Sequence, residues 1–290
     1  MINKIKTYLE LIKFSHTIFA IPFGISSVFI VEKSIPSLEK LFWILLALIF
    51  ARTAGMAFNR YIDVPIDKMN PRTKNWPSVK GEVKPWEMMV IGLISSILFM
   101  YTAYKLNMLA FWLSPIVVLL LLIYPAGKRF TQYVHLILGM VYFLIPVAVS
   151  IALKGYVELS AVMLGLAMAF WVSGFDILYA LQDYEFDRAF GIYSIPAKYG
   201  VKNAIIIARL FHFSTFIFIV LTGITSGLGL IYFVGVFILS GFLIYEHLLI
   251  KENDLSKINK AFFTVNGFVS IIYMFFVIAD LYLGGLLWKM

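Results

Sequence analysis

Residues 41–67 read LFWILLALIFARTAGMAFNRYIDVPID. The first eighteen of these carry one charge, Arg52. A helix that crosses a bilayer needs about 20 mainly apolar residues, so this run reads as a membrane span. It then turns polar, with Asn59, Asp63 and Asp67 at steps of four. Residues four apart share one face of a helix, so the three form a ladder. Pro65 is expected to distort or end the helix and so turn Asp67 inward.

A second stretch repeats the pattern. Residues 176–188 read DILYALQDYEFDR, and Tyr179, Asp183 and Asp187 again step in fours. Asp176 lies seven before Asp183 and so falls on nearly the same face. Both stretches close an apolar segment, four segments apart, in the manner of a degenerate duplication of two four-helix units.

The rest of the chain extends this reading. Of its 290 residues, 61% are hydrophobic and 14% are charged. Soluble domains average about 45–50% apolar and about 25% charged, so the bilayer is the expected solvent. The sequence predicts an all-α polytopic membrane protein of nine spans: 16–32, 39–60, 86–104, 107–124, 132–152, 160–182, 203–225, 228–249 and 261–285. No linker is long enough to divide 1–290 into more than one domain. The amphipathic stretch MINKIKTYLELIKFSH lacks a small-residue cleavage site, so no removable signal peptide is read.

The net charge of +8 follows topology rather than nucleic-acid binding. Seventeen Lys and Arg fall in the N-terminal stretch and in the loops after the second, fourth, sixth and eighth spans. Five fall on the other side, and Arg52 and Arg209 lie within apolar segments. This asymmetry predicts a cytoplasmic N-terminus and cytoplasmic carboxylate ladders. The two longest loops, of about 25 and about 20 residues, lie on that side and supply material for a lid or a site.

Carboxylates four apart on a helix repel by a few tenths of a kcal/mol, and desolvation near a bilayer adds to the cost. Divalent cations offset both. Mg²⁺ binds through one or two carboxylates together with substrate phosphates, so two facing ladders suit two ions and a diphosphate. Arg52 is an intramembrane cation seven residues before Asn59, and Lys128, in the YPAGKR stretch of 124–129, Arg72 and Lys198 are further candidate phosphate contacts. There is no cysteine, and His16, His135, His212 and His247 show no zinc-ligand spacing. His212 and His247 read as helix-packing residues, and Asp280 as a solvated cap. A cation channel or transporter is the rival class, but its charges would gather near the midplane rather than at one face.

NRYIDVPIDKMNPRT (59–73) and GFDILYALQDYEFDR (174–188) resemble the paired motifs of the UbiA family of intramembrane prenyltransferases. KFSHTIFAIPFG (13–24) and SIPAKYG (194–200) add agreement. The form of the second motif most resembles the 4-hydroxybenzoate polyprenyltransferases of the family. The resemblance implies nine spans around a central cavity under a cytoplasmic cap. It implies transfer of a prenyl chain from a polyprenyl diphosphate to an aromatic acceptor, with Mg²⁺ as cofactor, in the cell inner membrane. The acceptor implied is 4-hydroxybenzoate in ubiquinone synthesis, with dihydroxynaphthoate in menaquinone synthesis as the alternative.

By the same resemblance, Asn59, Asp63 and Asp67 would hold one Mg²⁺, and Asp183 and Asp187 the other. Arg72, Tyr124 and Lys128 would contact the diphosphate, with Tyr179 on the second ladder beside them. Arg52 would fix the diphosphate or the acceptor's carboxylate, and Asp176 would lie near the acceptor as base or orienter. One position departs from the pattern: Trp76 stands where the family usually has an arginine, and Lys74 or Lys80 is the expected substitute cation.

Overall fold

A computed structural model describes residues 2–13 and 20–287. His16 lies outside the described residues, as do residues 14–19 of the KFSHTIFAIPFG stretch.

The elements are helical from end to end. A short helix α1 (Ile2–Leu11) precedes α2 (Ile21–Glu32) and the long α3 (Leu38–Asp67). After one turn of helix, α4 (Pro77–Lys80), come α5 (Pro85–Leu106), α6 (Met108–Ile123), α7 (Val134–Lys154) and α8 (Leu159–Ala180). The chain continues through α9 (Tyr184–Phe190), α10 (Ile195–Ser226), α11 (Leu230–Leu249) and α12 (Asn266–Leu287). Eight helical segments are long and apolar enough to cross a membrane among the described residues. The chain is a multi-pass membrane protein. The first expected span is the exception: its described part, α2, has 12 residues, short of a full crossing.

Two other expectations change in detail. Pro65 does not end its helix, which runs to Asp67. Proline removes one N–H, and this close to a helix end that costs a single bond. Lys68 N–H then bonds Val64 O at 3.1 Å and closes the last turn. The second motif is not one continuous helix, because a 3₁₀ turn, Leu181–Asp183, separates α8 from α9.

Caps fix where the helices begin. Ser37 accepts from Lys40 N–H at 3.2 Å at the start of α3. Asn107 accepts from Ala110 N–H at 2.8 Å and begins α6. Its amide nitrogen also donates to Ile151 O at 2.7 Å, which ties the α5–α6 turn to the end of α7. Gly200, at φ 83°, kinks the start of α10, a conformation that favours glycine.

α8 is the axis of the bundle and packs between α7 and α10. Without water between helices, close backbone approach supplies the packing energy, and small residues permit it. On α7, Gly139 faces Ala169 O; on α8, Gly165 faces Phe143 O. A methyl group built at either would stand under 3 Å from those carbonyls.

A polar network crosses the core beside α8. Trp171 Nε1 donates to Asn266 Oδ1 at 2.8 Å, and Asn266 Nδ2 donates to Glu246 Oε1 at 2.8 Å. The same amide reaches Ala261 O at 3.2 Å, in the π-helical turn Lys260–Val265 that leads into α12. His212 and His247 pack beside it, 3.0 Å apart, consistent with their reading as packing residues. Asp280 is a cap, but a buried one. It accepts from Gly229 N–H at 2.6 Å and Tyr232 N–H at 3.1 Å, and so caps α11 from the neighbouring helix.

Asn266→Leu keeps the branched shape of the side chain and strips these bonds from the buried Trp171 and Glu246 side chains. It is expected to destabilise the protein by about 1–3 kcal/mol, the usual cost of orphaning buried polar groups. Thermal unfolding in detergent, followed by Trp fluorescence, measures this.

Candidate active site

A cavity of about 600 Å³ opens between α3, α6, α7 and α8. Its walls change character along its length. Far from the motifs it is lined by Ile44, Leu48, Leu106, Leu113, Ile145 and Val149. At the other end it meets Asn59, Asp63, Asp67, Asp176, Asp183 and Asp187. The two ladders therefore face one space.

Each carboxylate of the first ladder has its own neighbours. Asp63 is buried and meets Lys128 Nζ at 2.8 Å and Arg129 Nη1 at 3.4 Å. Asn59 Nδ2 donates to Asp63 Oδ2 at 3.0 Å. Lys128 and Arg129 reach it because the 3₁₀ turn Tyr124–Arg129 folds the end of α6 back toward α3. Arg129 is pinned there by a 2.6 Å bond to Ile62 O. Asp67 is buried too, and its Oδ2 accepts no hydrogen bond. Arg60 Nη1, at 3.9 Å, is its cation.

The loop between α3 and α4 crosses to the second ladder. Asn70 Nδ2 donates to Asp183 Oδ1 at 2.8 Å. Arg72 grips the same carboxylate as a fork, Nε to Oδ1 at 2.8 Å and Nη2 to Oδ2. Paired bonds of this kind are among the strongest charge-assisted contacts. Arg72 Nη1 also donates to Tyr179 OH at 3.3 Å. Burial is the largest single influence and pushes the guanidinium's pKa down, but the hydrogen bonds and charge of Asp183, with Tyr179 and Asp67, together hold it above its ordinary value. Asp187 is buried and accepts from Ser194 Oγ at 2.9 Å. Ser194 in turn caps α10.

Asp176 sits apart from the ladders' ends and has a partner of its own. His135 Nδ1 lies 2.7 Å from Asp176 Oδ2. Ile195 N–H donates to His135 Nε2 at 3.4 Å, so Nε2 is the acceptor and Nδ1 carries the proton. Arg52 lies further in and donates from Nη1 to Tyr142 OH at 3.1 Å, while its buried Nε has no partner. Tyr124, Tyr179 and Phe262 line the same cavity, with the last two rings 4.1 Å apart.

The structure thus gathers Arg52, Asn59, Asp63, Asp67, Arg72, Tyr124, Lys128, Asp176, Tyr179, Asp183 and Asp187 around one cavity. Lys198 is not among them: it is exposed, and its side chain lies outside the cavity wall. Lys74 and Lys80 are also exposed and away from the wall. The sequence reading missed His135, Asn70, Arg129 and Ser194. Asn70 and Arg129 flank motif residues, a signal that could have found them; His135 offered none.

The residues fit a divalent cation. A buried carboxylate oxygen without a donor, Asp67 Oδ2, invites one. Among the described residues no three His, Asp or Glu side chains converge to hold a metal alone. Mg²⁺ needs no such cluster, since it takes one or two carboxylates and completes its shell from phosphates and water.

Comparison with known proteins agrees. Residues 19–272 match the UbiA prenyltransferase family. A 4-hydroxybenzoate octaprenyltransferase of Pasteurella multocida is 31% identical over 256 residues, 87% of this chain and 86% of the relative. One from Shewanella sediminis is 31% identical over 232 residues, 80% of each. Among solved structures, the apo UbiA homolog from Aeropyrum pernix superposes with a TM-score of 0.83 at 30% identity, covering 91% of this chain and 98% of that one. A UbiA homolog from Archaeoglobus fulgidus bound to GPP and Mg²⁺ shares the fold, with a TM-score of 0.70 at 19% identity over 95% and 99%. With its ladders facing one cavity and its length matched almost end to end, this chain belongs to the UbiA prenyltransferase family.

Proposed function

We propose that this chain, acting as a single domain, transfers a polyprenyl group from a polyprenyl diphosphate to the ring carbon ortho to the hydroxyl of 4-hydroxybenzoate. The reaction uses Mg²⁺ and proceeds at the cytoplasmic end of the bundle, in the cell inner membrane. One observation carries the reading: acids and bases for a diphosphate gather at one end of a cavity whose remainder is apolar.

Asn59, Asp63 and Asp67 would hold one ion, and Asp183 and Asp187 the other. When bound, Mg²⁺ neutralises the diphosphate and makes it a better leaving group. Arg72 and Lys128 bind the diphosphate oxygens beside it. The donor's C1–O bond breaks and its electron pair leaves with the diphosphate. The apolar wall keeps water from the allylic carbon, and the ring faces of Tyr124, Tyr179 and Phe262 attract its positive charge. The acceptor's ring carbon then bonds to C1. Asp176 takes the ring proton, with Oδ2 held in place by the His135 Nδ1–H bond. Arg52, with a buried Nε free of partners, suits the acceptor's carboxylate as a fork.

Product mass spectrometry tests this. The purified protein, given 4-hydroxybenzoate and a mixture of prenyl diphosphates, should yield prenylated acid with Mg²⁺ and none with EDTA. Product from dihydroxynaphthoate alone would change the acceptor. No diphosphate release with any acceptor would overturn the assignment.

A further inference from the structure

One turn of chain beside the cavity departs from α-helical geometry. Lys260–Val265 form a π-helical turn that leads into α12, and Phe262 within it lines the cavity. Such turns are rare, and as single turns within α-helices they recur at functional sites. Here the wider turn carries an aromatic ring against the second ladder. The centre of the Phe262 ring lies 4.1 Å from that of Tyr179, and the Phe175 ring meets it edge-on at 5.3 Å. Tyr179 is tied in turn to the diphosphate end of the cavity, because its hydroxyl accepts from Arg72 Nη1 at 3.3 Å.

Asn266 holds this turn at two points. Its Nδ2 donates to Ala261 O at 3.2 Å, and its backbone N–H donates to Phe263 O. Phe262 lies between those two carbonyls in the chain. Asn266 is itself fixed, in the buried interior, by Glu246 Oε1 and Trp171 Nε1, each at 2.8 Å. Glu246 is buried as well, and its Oε2 accepts no hydrogen bond. An acid and an amide buried in an apolar bundle are costly, and an apolar pair of the same shape would hold the helices about as well. Stability alone therefore does not account for the pair. The path of the Lys260–Val265 turn does, since an apolar side chain at 266 could not hold Ala261 O.

We propose that Asn266, anchored by Glu246, is a positioning residue for prenyl transfer, acting through the π-helical turn that sets the Phe262 ring on Tyr179. It touches no substrate and belongs to neither motif. The inference rests on the reading of the cavity as a prenyl transfer site, with Phe262 beside the allylic carbon.

Initial rates are measured on the full chain in nanodiscs with Mg²⁺, 4-hydroxybenzoate and geranyl diphosphate, well below the unfolding transition of every variant. Phe262→Leu is expected to lower kcat about tenfold, the loss of one ring face beside a developing cation. KM for geranyl diphosphate should stay nearly unchanged, because the interaction is made mainly in the transition state. Asn266→Leu and Glu246→Leu should lower kcat by a similar factor. Glu246→Gln should stay within about threefold of wild type, because its amide oxygen still accepts from Asn266. The Phe262→Leu, Asn266→Leu double variant should be no more than about threefold slower than either single one, since a residue acting through another adds little once that other is gone. A merely structural role would instead multiply the two losses to about a hundredfold, and that result would overturn the assignment. Unchanged kcat in Asn266→Leu or in Phe262→Leu, beside an active wild type, would overturn it too and leave the reading of the cavity in place. If Asn266→Leu does not purify folded, the Glu246 variants carry the test, and equal rates in Glu246→Leu and Glu246→Gln sink the proposal. A wild type that releases no diphosphate would fail the reading of the cavity itself, and this assignment with it.

Discussion

Asp183→Asn is expected to slow prenyl transfer by two to three orders of magnitude while the protein still inserts and purifies normally. The size follows from removing one preorganised charge from the centre of a phosphate site. Asp183 accepts from Asn70 Nδ2 and from two nitrogens of Arg72. Asparagine keeps the shape but loses the charge, and it turns an amide donor toward groups that are themselves donors. Arg72 is then released from its fork, and the loop that spans the two ladders loses its anchor. The fold is expected to tolerate the change, because Asp183 sits in the 3₁₀ turn after α8, beside a surface loop. Single-turnover rates, with chromatography of the solubilised protein as control, test the point. A variant that keeps more than a tenth of the wild-type rate would contradict a role for Asp183 in holding the diphosphate.

Some of this site was legible in the sequence because its geometry is local. Asn59, Asp63 and Asp67 lie on one unbroken helix, so their spacing alone puts them on one face. Asp183 and Asp187 were found by the same spacing, although the 3₁₀ turn at Leu181–Asp183 means that one ideal helix does not carry them. Nothing in the local pattern marks that turn. The rest is tertiary. His135 and Asp176 are 41 residues apart in the chain, and only the packing of α7 on α8 brings them to 2.7 Å. Trp76 reads as a missing cation in the sequence. In the structure it gathers cations from α3, the following loop and the N-terminal segment. Lys198 failed in the opposite way: its motif is near the site, but the first turn of α10 points it outward.

The α7–α8 contact that creates the His135–Asp176 pair is also where a single methyl group should do most damage. Gly139 lies one turn after His135 on the same face of α7. A Cβ there would meet the Ala169 carbonyl at 2.6 Å and the Ser173 hydroxyl closer still. A carbonyl within a helix cannot rotate away, so the helices must separate. Ser173 Oγ is itself bonded to His135 O at 3.0 Å, so the displacement passes directly to the dyad. Gly139→Val is therefore expected to cost about 3 kcal/mol of stability, the upper range for overpacking. What survives should also transfer prenyl groups poorly even below its unfolding temperature. Gly241→Ala is the control for a side chain added at an open helix position, since nothing lies within 4 Å of its added methyl. It should leave the unfolding temperature unchanged or raise it slightly, because alanine favours helix over glycine by about 1 kcal/mol. Thermal unfolding of both variants, with initial rates taken well below the transition, separates the two effects. If Gly139→Val unfolds like Gly241→Ala, then α7 and α8 do not meet backbone to backbone, and the pairing of His135 with Asp176 loses its structural cause.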